Sequence, residues 1–251
     1  MNLHGKVALI TGGRRVGGEL AKLLASRGMS IALTYKTRPE AIEQTLEEIR
    51  TQGGKGFAIS ADLSDALQAE QAVVETVNTV GRLDVLVNMA SVYRRTPFEE
   101  LTANDFSQMI ANNLAAPYFT SLFAARQMRR QAVEEGLKGK IVNVGDWATD
   151  RPYRHYLPYL TAKGALKTFT LALAKELAPD VTVNLVQPAM IDPPPDFTED
   201  DKAAVLALTP LHRLGTPGDL NRLILYLLEG TDFVTGSCYR VDGGRFLGVN
   251  E

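Results

Sequence analysis

The sequence predicts a single doubly wound α/β domain, with a seven-stranded parallel sheet flanked by helices on both faces. Three observations support this prediction. Short β-branched runs alternate with longer amphipathic segments, which is the pattern of repeated βαβ units. A glycine-rich segment follows the first run, where a strand must turn into a helix. No linker, repeat or low-complexity segment interrupts the pattern, so we expect one domain over residues 1–251.

The first half of the chain alternates strictly between predicted strands and helices. Leu20, Leu23 and Leu24 lie on one face of the first helix, and Gly28 ends it. We expect residues 1–135 to hold a cofactor. The predicted strands are 6–11, 30–35, 56–60 and 83–88, and the predicted helices are 18–28, 39–54 and 65–80.

The second half, residues 136–251, is expected to carry catalysis and substrate binding. Its strands are predicted at 140–145, 181–186 and 237–242, and helices at about 103–134 (crossing from the first half), 157–177 and 217–229. Segment 187–204 departs from this rhythm, because three consecutive prolines prevent regular structure before a short acidic helix start. It follows the carboxyl end of a strand, where open α/β sheets bind ligands. Both a substrate lid and a plain surface loop fit it.

Composition narrows the class of protein. The 27 basic and 29 acidic residues nearly cancel without a basic run, so a nucleic-acid partner is not expected. No apolar run approaches the roughly 20 residues of a membrane-spanning helix. One cysteine, Cys238, allows no internal disulfide, and no cleavable signal precedes the first strand. The scattered His4, His155 and His212 suggest no metal site. We therefore expect a cytoplasmic protein.

The turn "ITGGRRVGGEL" (10–20) is typical of a dinucleotide site, because glycines let the backbone approach a pyrophosphate at a helix amino terminus. The second strand ends "LTYKTR", without the acidic residue that usually meets a ribose 2′-hydroxyl. Four basic residues could instead surround a 2′-phosphate, which favours NADP(H): Arg14, Arg15, Lys36 and Arg38. A tight turn without a ligand, with solvated charges beside it, is the alternative.

Tyr159 and Lys163 are four residues apart on a predicted helix and so share a face. An ammonium group near a phenol is expected to lower its pKa from about 10, which would make Tyr159 a usable acid. Such a pair is common on helical surfaces, but its position favours catalysis, because Tyr159 lies 13 residues after Asp146 and at the start of the helix that follows a strand. Asp146 itself is either a catalytic carboxylate or a turn cap.

Several motifs occur in one order: "TGGRRVG" (11–17), "DL" (62–63), "NMAS" (88–91), Asn113, Tyr159 with Lys163, and "VDGG" (241–244). With them the chain resembles the short-chain dehydrogenase/reductase family over its whole length, which implies a Rossmann-like fold and a homotetramer. The resemblance implies that Tyr159 donates a proton, that Lys163 also bonds the nicotinamide ribose, and that Asn113 holds a water-linked relay.

The same resemblance implies the cofactor contacts. Val16 and Ser91 replace glycines usual in the family, the first turn is one residue short, and "QPAM" (187–190) replaces the usual Pro-Gly. The implied contact residues are Gly12, Arg14, Arg15, Val16, Gly17, Tyr35, Lys36, Arg38, Asp62, Leu63, Asn88, Ala90, Ser91, Lys163 and Pro188.

Within the family, the chain is especially similar to the pteridine reductases, through the Arg14–Arg15 pair, "NMASVY" (88–93), "NLAAPYF" (113–119) and an aspartate in place of serine. This likeness implies that Asp146 and Tyr159 together protonate a ring nitrogen. Tyr93 would stack on the heterocycle and Arg15 would bridge cofactor and substrate. Trp147 and Tyr153 either line the same pocket or are packing residues.

We therefore interpret the protein as an NADPH-dependent reductase of a pterin, dihydropterin or dihydrofolate-like heterocycle. Two alternatives stay open. In a carbonyl reductase for an oxoacyl thioester or sugar, Asp146 would recognise a substrate hydroxyl. A non-catalytic NADP-binding sensor or scaffold would keep the fold without turnover, although the intact Asn113, Tyr159 and Lys163 argue against it.

Overall fold

The computed structural model describes residues 1–132, 136–191, 193 and 197–248. They form a seven-stranded parallel sheet in the order β3-β2-β1-β4-β5-β6-β7, which confirms the predicted fold class. The strands are β1 (Val7–Thr11), β2 (Ser30–Tyr35), β3 (Lys55–Ser60), β4 (Val85–Asn88), β5 (Gly139–Val144), β6 (Val181–Pro188) and β7 (Cys238–Val241). The helices are α1 (Val16–Ser26), α2 (Glu40–Thr51), α3 (Ala66–Val80), α4 (Ala103–Ile110), α5 (Ala116–Arg130), α6 (Leu157–Leu177), α7 (Glu199–Ala207) and α8 (Pro217–Leu225).

The strand order reverses between β1 and β4, and this switch point positions the site. Apolar residues of α1, α2 and α8 pack on one face of the sheet, and those of α3, α5 and α6 pack on the other. Because the connections leave the switch point in opposite directions, a crevice opens beyond the carboxyl ends of β1 and β4. Across the described ranges, no helix has both the length and the apolar character needed to cross a membrane.

The helical segments predicted around 103–134 are two helices, α4 and α5. A π-helical turn, Ala111–Ala115, joins α4 to α5. Pro117 is the second residue of α5 and has no N–H to continue the ladder of hydrogen bonds, which explains the break. Residues 133–134 of that prediction lie outside the described residues, as does most of the proline run, from which only Pro193 is described. The acidic helix start is observed as α7, with a capping box between Thr198 and Asp201.

Candidate active site

A cleft of about 590 Å³ opens at the carboxyl ends of β1, β2 and β4. The turn after β1 forms its floor with little space for side chains. A Cβ atom on Gly12 would lie 2.7 Å from Ala90 Cα, and one on Gly17 would lie 2.4 Å from the Gly12 carbonyl oxygen. Arg15, with φ of 51°, immediately precedes α1. This close backbone before a helix amino terminus fits the pyrophosphate of a dinucleotide.

Most of the predicted cofactor residues line this cleft. They are Gly12, Arg14, Arg15, Val16, Gly17, Tyr35, Lys36, Arg38, Asp62, Leu63, Ala90 and Ser91. Arg14, Lys36 and Arg38 are exposed there, and the Lys36 amine lies 2.6 Å from a carboxylate oxygen of Asp62. A concentration of positive charge at the end of β2 therefore borders the place expected for an adenine ribose.

Asn88 lies behind the cleft, and the cofactor contact implied for it stays a prediction. It is 4% exposed, and its amide group donates to the Ser121 hydroxyl at 2.9 Å and to Asn143 Oδ1 at 2.8 Å, while Thr120 donates to its oxygen at 2.7 Å. These contacts join β4 to β5 and α5, so Asn88 supports the sheet behind the cleft. Pro188 is half-buried at the end of β6.

Asp146 and Tyr159 form a direct pair at the end of β5. The Tyr159 hydroxyl donates to Asp146 Oδ2 at 2.9 Å, and the backbone N–H of Ala148 donates to Asp146 Oδ1 at 2.8 Å. The carboxylate is therefore both a turn cap and a partner of the phenol, which combines the two interpretations of Asp146. Tyr159 is only 5% exposed.

Burial dominates the electrostatics of this pair. It raises the pKa of Asp146 despite the opposing hydrogen bonds of Ala148 and Tyr159. Burial and the neighbouring Asp146 carboxylate raise the pKa of Tyr159 well above 10. Both acids therefore hold their protons more strongly than they would in water.

The expectation that Lys163 lowers the pKa of Tyr159 is wrong for this structure. The Lys163 ammonium donates to the Val144 carbonyl at 2.8 Å and lies 5.8 Å from the centroid of the Tyr159 ring. Burial lowers the pKa of Lys163 itself to about 8. Burial thus disfavours the charged form of Lys163, and this lysine does not offset the rise in the pKa of Tyr159 caused by burial and Asp146.

Asn113 lies in the π-helical turn, where it is fully buried. Its oxygen accepts from the Ser91 hydroxyl at 2.6 Å and from the Val92 N–H at 3.2 Å, and its amide donates to the Val92 carbonyl at 3.0 Å. Asn113 therefore fixes the segment that follows β4. The proton relay implied for it stays a prediction.

Three tyrosines form one side of the catalytic end, and we call Tyr93, Tyr153 and Tyr156 the tyrosine wall. Tyr93 and Tyr156 stack with centroids 4.5 Å apart and planes 12° apart, and Tyr153 donates to the Tyr93 hydroxyl at 3.3 Å. Tyr93 is 46% exposed and its ring centroid lies 5.0 Å from that of Tyr159, so the wall presents an aromatic surface to solvent beside the catalytic phenol. The Thr96 N–H donates to the His155 carbonyl at 2.6 Å and joins the two loops that carry the wall.

Three residues near Asp146 have contacts that were not predicted from the sequence. Tyr156 is three residues before Tyr159, a spacing that could have indicated a shared face. Gln187, noted only as a departure in "QPAM", donates to the Asp146 carbonyl at 3.1 Å and to the Thr149 hydroxyl at 2.9 Å. Arg245 lies over Trp147, with 5.1 Å from its Cζ to the ring centroid. The contact between Arg245 and Trp147 could not be predicted from the position of Arg245 directly after "VDGG".

Comparison with known proteins agrees with this geometry. Residues 6–204 match the model of the short chain dehydrogenase family, and the chain belongs to that family. It is 32% identical to a 3-oxoacyl-[acyl-carrier-protein] reductase of Synechocystis, covering 98% of each chain. It is 30% identical to versicolorin reductase 1 of Aspergillus parasiticus, covering 97% of each. A Burkholderia cenocepacia short chain dehydrogenase solved in complex with NADP superposes with a TM-score of 0.89, at 31% identity and over 98% of this chain and 99% of that one.

Proposed function

We propose that the protein is an NADPH-dependent reductase of a C=N bond in a flat nitrogen heterocycle, such as a pterin, a dihydropterin or a dihydrofolate-like compound. The observation that carries this proposal is the 2.9 Å hydrogen bond from the Tyr159 hydroxyl to the Asp146 carboxylate. A carboxylate and a phenol side by side form a proton-donating pair rather than a site for an oxyanion.

The charge of the product explains why this pair suits a C=N bond. Reduction of a ketone builds negative charge on oxygen, which a neighbouring carboxylate would repel. Reduction of a C=N bond leaves a neutral N–H once the nitrogen has received a proton. The pair transfers one proton to that nitrogen and recovers one from solvent. Because burial raises the pKa of both groups, the proton is retained until the substrate needs it.

Bound NADPH would supply the hydride. Arg14, Lys36 and Arg38 border the cleft and have the charge needed to hold a 2′-phosphate. Lys163, whose amine lies behind the Tyr159 ring, would reach the nicotinamide ribose from the same helix face. Tyr93 presents the exposed face of the tyrosine wall to the heterocycle.

A second candidate is a carbonyl reductase. The similarity to proteins named 3-oxoacyl-[acyl-carrier-protein] reductase and versicolorin reductase favours it. In that enzyme the Asp146 carboxylate would accept a hydrogen bond from a substrate hydroxyl, and Tyr159 would protonate the developing alkoxide.

NADPH oxidation distinguishes the two candidates. Purified protein is assayed with dihydrobiopterin, dihydrofolate and an acetoacetyl thioester, together with Asp146→Ser. We expect turnover of a heterocycle and a loss of about 100-fold or more in kcat in the variant. Asp150→Ser is the matched control, because the Asp150 carboxylate pairs with Lys167 instead. Turnover of the thioester alone, kept in Asp146→Ser, would establish the carbonyl reductase. NADPH binding without turnover of any substrate would favour a sensor or scaffold.

We also propose that the protein assembles as a homotetramer. Helices α4, α5 and α6 expose apolar side chains that this chain alone does not cover: Phe106, Tyr118, Leu157 and Leu171. Such a surface favours burial against a second copy. Light scattering of the purified protein would contradict the proposal if it gave the mass of one chain, 27.4 kDa.

A further inference from the structure

A second cavity, of about 310 Å³, lies beside the catalytic end of the cleft. Its walls come from Ala189 and Met190 after β6, Val205 of α7, and the turn after β7 that includes Arg245. Ala189 directly follows Pro188, and Arg245 covers Trp147, the neighbour of Asp146. The cavity therefore begins where the reacting part of a substrate would end.

Most charges around this cavity are already paired. Arg213 makes two hydrogen bonds to the Asp219 carboxylate, at 2.7 and 3.0 Å. Arg240 lies 3.2 Å from Asp150 and stacks on the Phe246 ring with 3.8 Å from its Cζ to the centroid.

The Asp242 carboxylate, also in the cavity wall, is occupied by backbone donors. It accepts from the N–H groups of Gly244 and Phe246 at 3.0 and 2.9 Å. Among the described residues, no side chain forms an ion pair with it.

Arg245 differs from its neighbours. Its guanidinium lies on the Trp147 ring, and none of the residues that the structure describes forms an ion pair with it or accepts a hydrogen bond from it. A cation–π contact does not use the N–H donors of a guanidinium in hydrogen bonds, so they remain able to bind an acceptor. Burial lowers the pKa of this group from its usual value, although Tyr153, Tyr93 and Asp146 oppose the shift. A partly buried cation of this kind favours an anionic partner.

We propose that Arg245 is a specificity-determining residue that binds an anionic extension of the substrate, a carboxylate or phosphate, in the cavity between α7 and the turn after β7. This inference rests on the proposed function and narrows its substrate class to heterocycles with an acidic side chain. The ring would lie against the tyrosine wall and the acidic side chain would enter the cavity, where Arg245 offers donors suited to a carboxylate.

The kinetic test compares two substrates that share a ring. Dihydrofolate has a tail with two carboxylates, whereas the tail of dihydrobiopterin is neutral. Arg245→Gln is expected to raise the KM for dihydrofolate by about tenfold or more, and to change kcat and the KM for dihydrobiopterin by less than about threefold. Arg245→Lys should lie between wild type and Arg245→Gln, because it keeps the charge but loses the planar fork. An equal effect on both substrates would overturn the proposal.

The charge control is Arg129→Gln. Arg129 is exposed and pairs with Asp180, the residue before β6. It therefore lies at the amino end of that strand, whereas the cavity lies beyond the carboxyl end. The Arg129→Gln substitution removes one positive charge, as Arg245→Gln does, but far from the cavity. If Arg129→Gln raised the KM for dihydrofolate as much as Arg245→Gln, long-range charge would explain the effect and the proposal would fail.

A binding test does not depend on turnover. Trp147 is the only tryptophan in the sequence and contacts Arg245, a residue of the cavity wall, so its fluorescence reports on binding at Arg245. Protein saturated with NADP⁺ is titrated with p-aminobenzoylglutamate and with its dimethyl ester. The diacid should bind about tenfold more tightly, and Arg245→Gln should abolish that difference. Equal affinities in wild type would overturn the proposal. If no heterocycle is reduced, the proposed function fails while this titration still decides the role of Arg245.

Discussion

The two ends of the crevice are built differently. At the cofactor end, Arg14, Lys36 and Arg38 are exposed, and the site depends on close backbone around Gly12 and Gly17. At the catalytic end, Tyr159 and Lys163 are at most 5% exposed and the pKa values of the ionisable groups are displaced by burial. Binding of a large anion needs accessible charge, whereas proton transfer needs groups protected from water. Substitutions at the cofactor end should therefore change the dissociation constant of NADPH, whereas substitutions at the catalytic end should change kcat.

The largest effect is expected at the buried phenol. Tyr159→Phe removes the proton donor and should lower kcat by about 1,000-fold, within the usual range for loss of a general acid. The dissociation constant of NADPH should change by less than about threefold, because Tyr159 lies outside the glycine turn. Steady-state kinetics and a fluorescence titration with NADPH measure the two quantities. A variant that keeps more than about a tenth of kcat would show that another group donates the proton.

Lys163 gives a stability effect with a defined pH window. Burial lowers its pKa from 10.5 to about 8, so between these values the unfolded chain binds a proton that the folded protein does not. The cost of burying the ammonium is complete below pH 8 and disappears above pH 10.5. The free energy of unfolding of Lys163→Met relative to wild type should therefore fall by about 3 kcal/mol across that window. Urea unfolding at several pH values measures it, and a constant difference would contradict the burial argument.

At the cofactor end the expected change is smaller and concerns binding alone. Lys36→Met removes a charge from the end of β2 and leaves the Asp62 carboxylate without the amine now 2.6 Å away. The dissociation constant of NADPH should rise by about tenfold, while that of NADH changes by less than about twofold. Lys55→Met is the control, because Lys55 is the first residue of β3 and lies at the amino ends of the strands, away from the cleft at their carboxyl ends. Equal losses for both cofactors would mean that Lys36 does not recognise the 2′-phosphate.

The smallest effect is expected at the tyrosine wall. Tyr156→Leu removes the ring that stacks on Tyr93 with centroids 4.5 Å apart. Tyr93 should then hold a flat substrate less well, which raises KM by about threefold with little change in kcat. Tyr226→Leu, at an exposed site after α8, is the matched control. A loss confined to kcat would instead place Tyr156 in the proton path.

The fold and much of the site could be predicted from the sequence because they depend on local patterns. The alternation of strands and helices identified all seven strands, and helix 157–177 was predicted with the bounds of α6. Tyr159, Lys163 and Asp146 were identified by spacing within one strand-helix unit. These features depend on residues close together in the chain.

The remainder depends on contacts between distant segments. Arg245 meets Trp147 from a turn about 100 residues further along the chain, at the end of the last strand. The pKa of Tyr159 was predicted in the wrong direction because spacing showed Lys163 nearby but not how deeply both residues are buried. Asn88 was assigned to the cofactor through the family resemblance of its motif, which does not show that its side chain bonds to Ser121 of α5 and Asn143 of β5.

The hydrogen bond between Thr96 and His155 has a consequence for substrate entry. It joins the loop after β4 to the loop before α6, and each loop contributes rings to the tyrosine wall. A displacement of Tyr93 is therefore transmitted to Tyr156, and opening of the wall would be a concerted motion of both loops. Stopped-flow recording of ligand binding should then show a single kinetic phase for this motion, and Thr96→Pro, which removes the donated N–H, should split it into two.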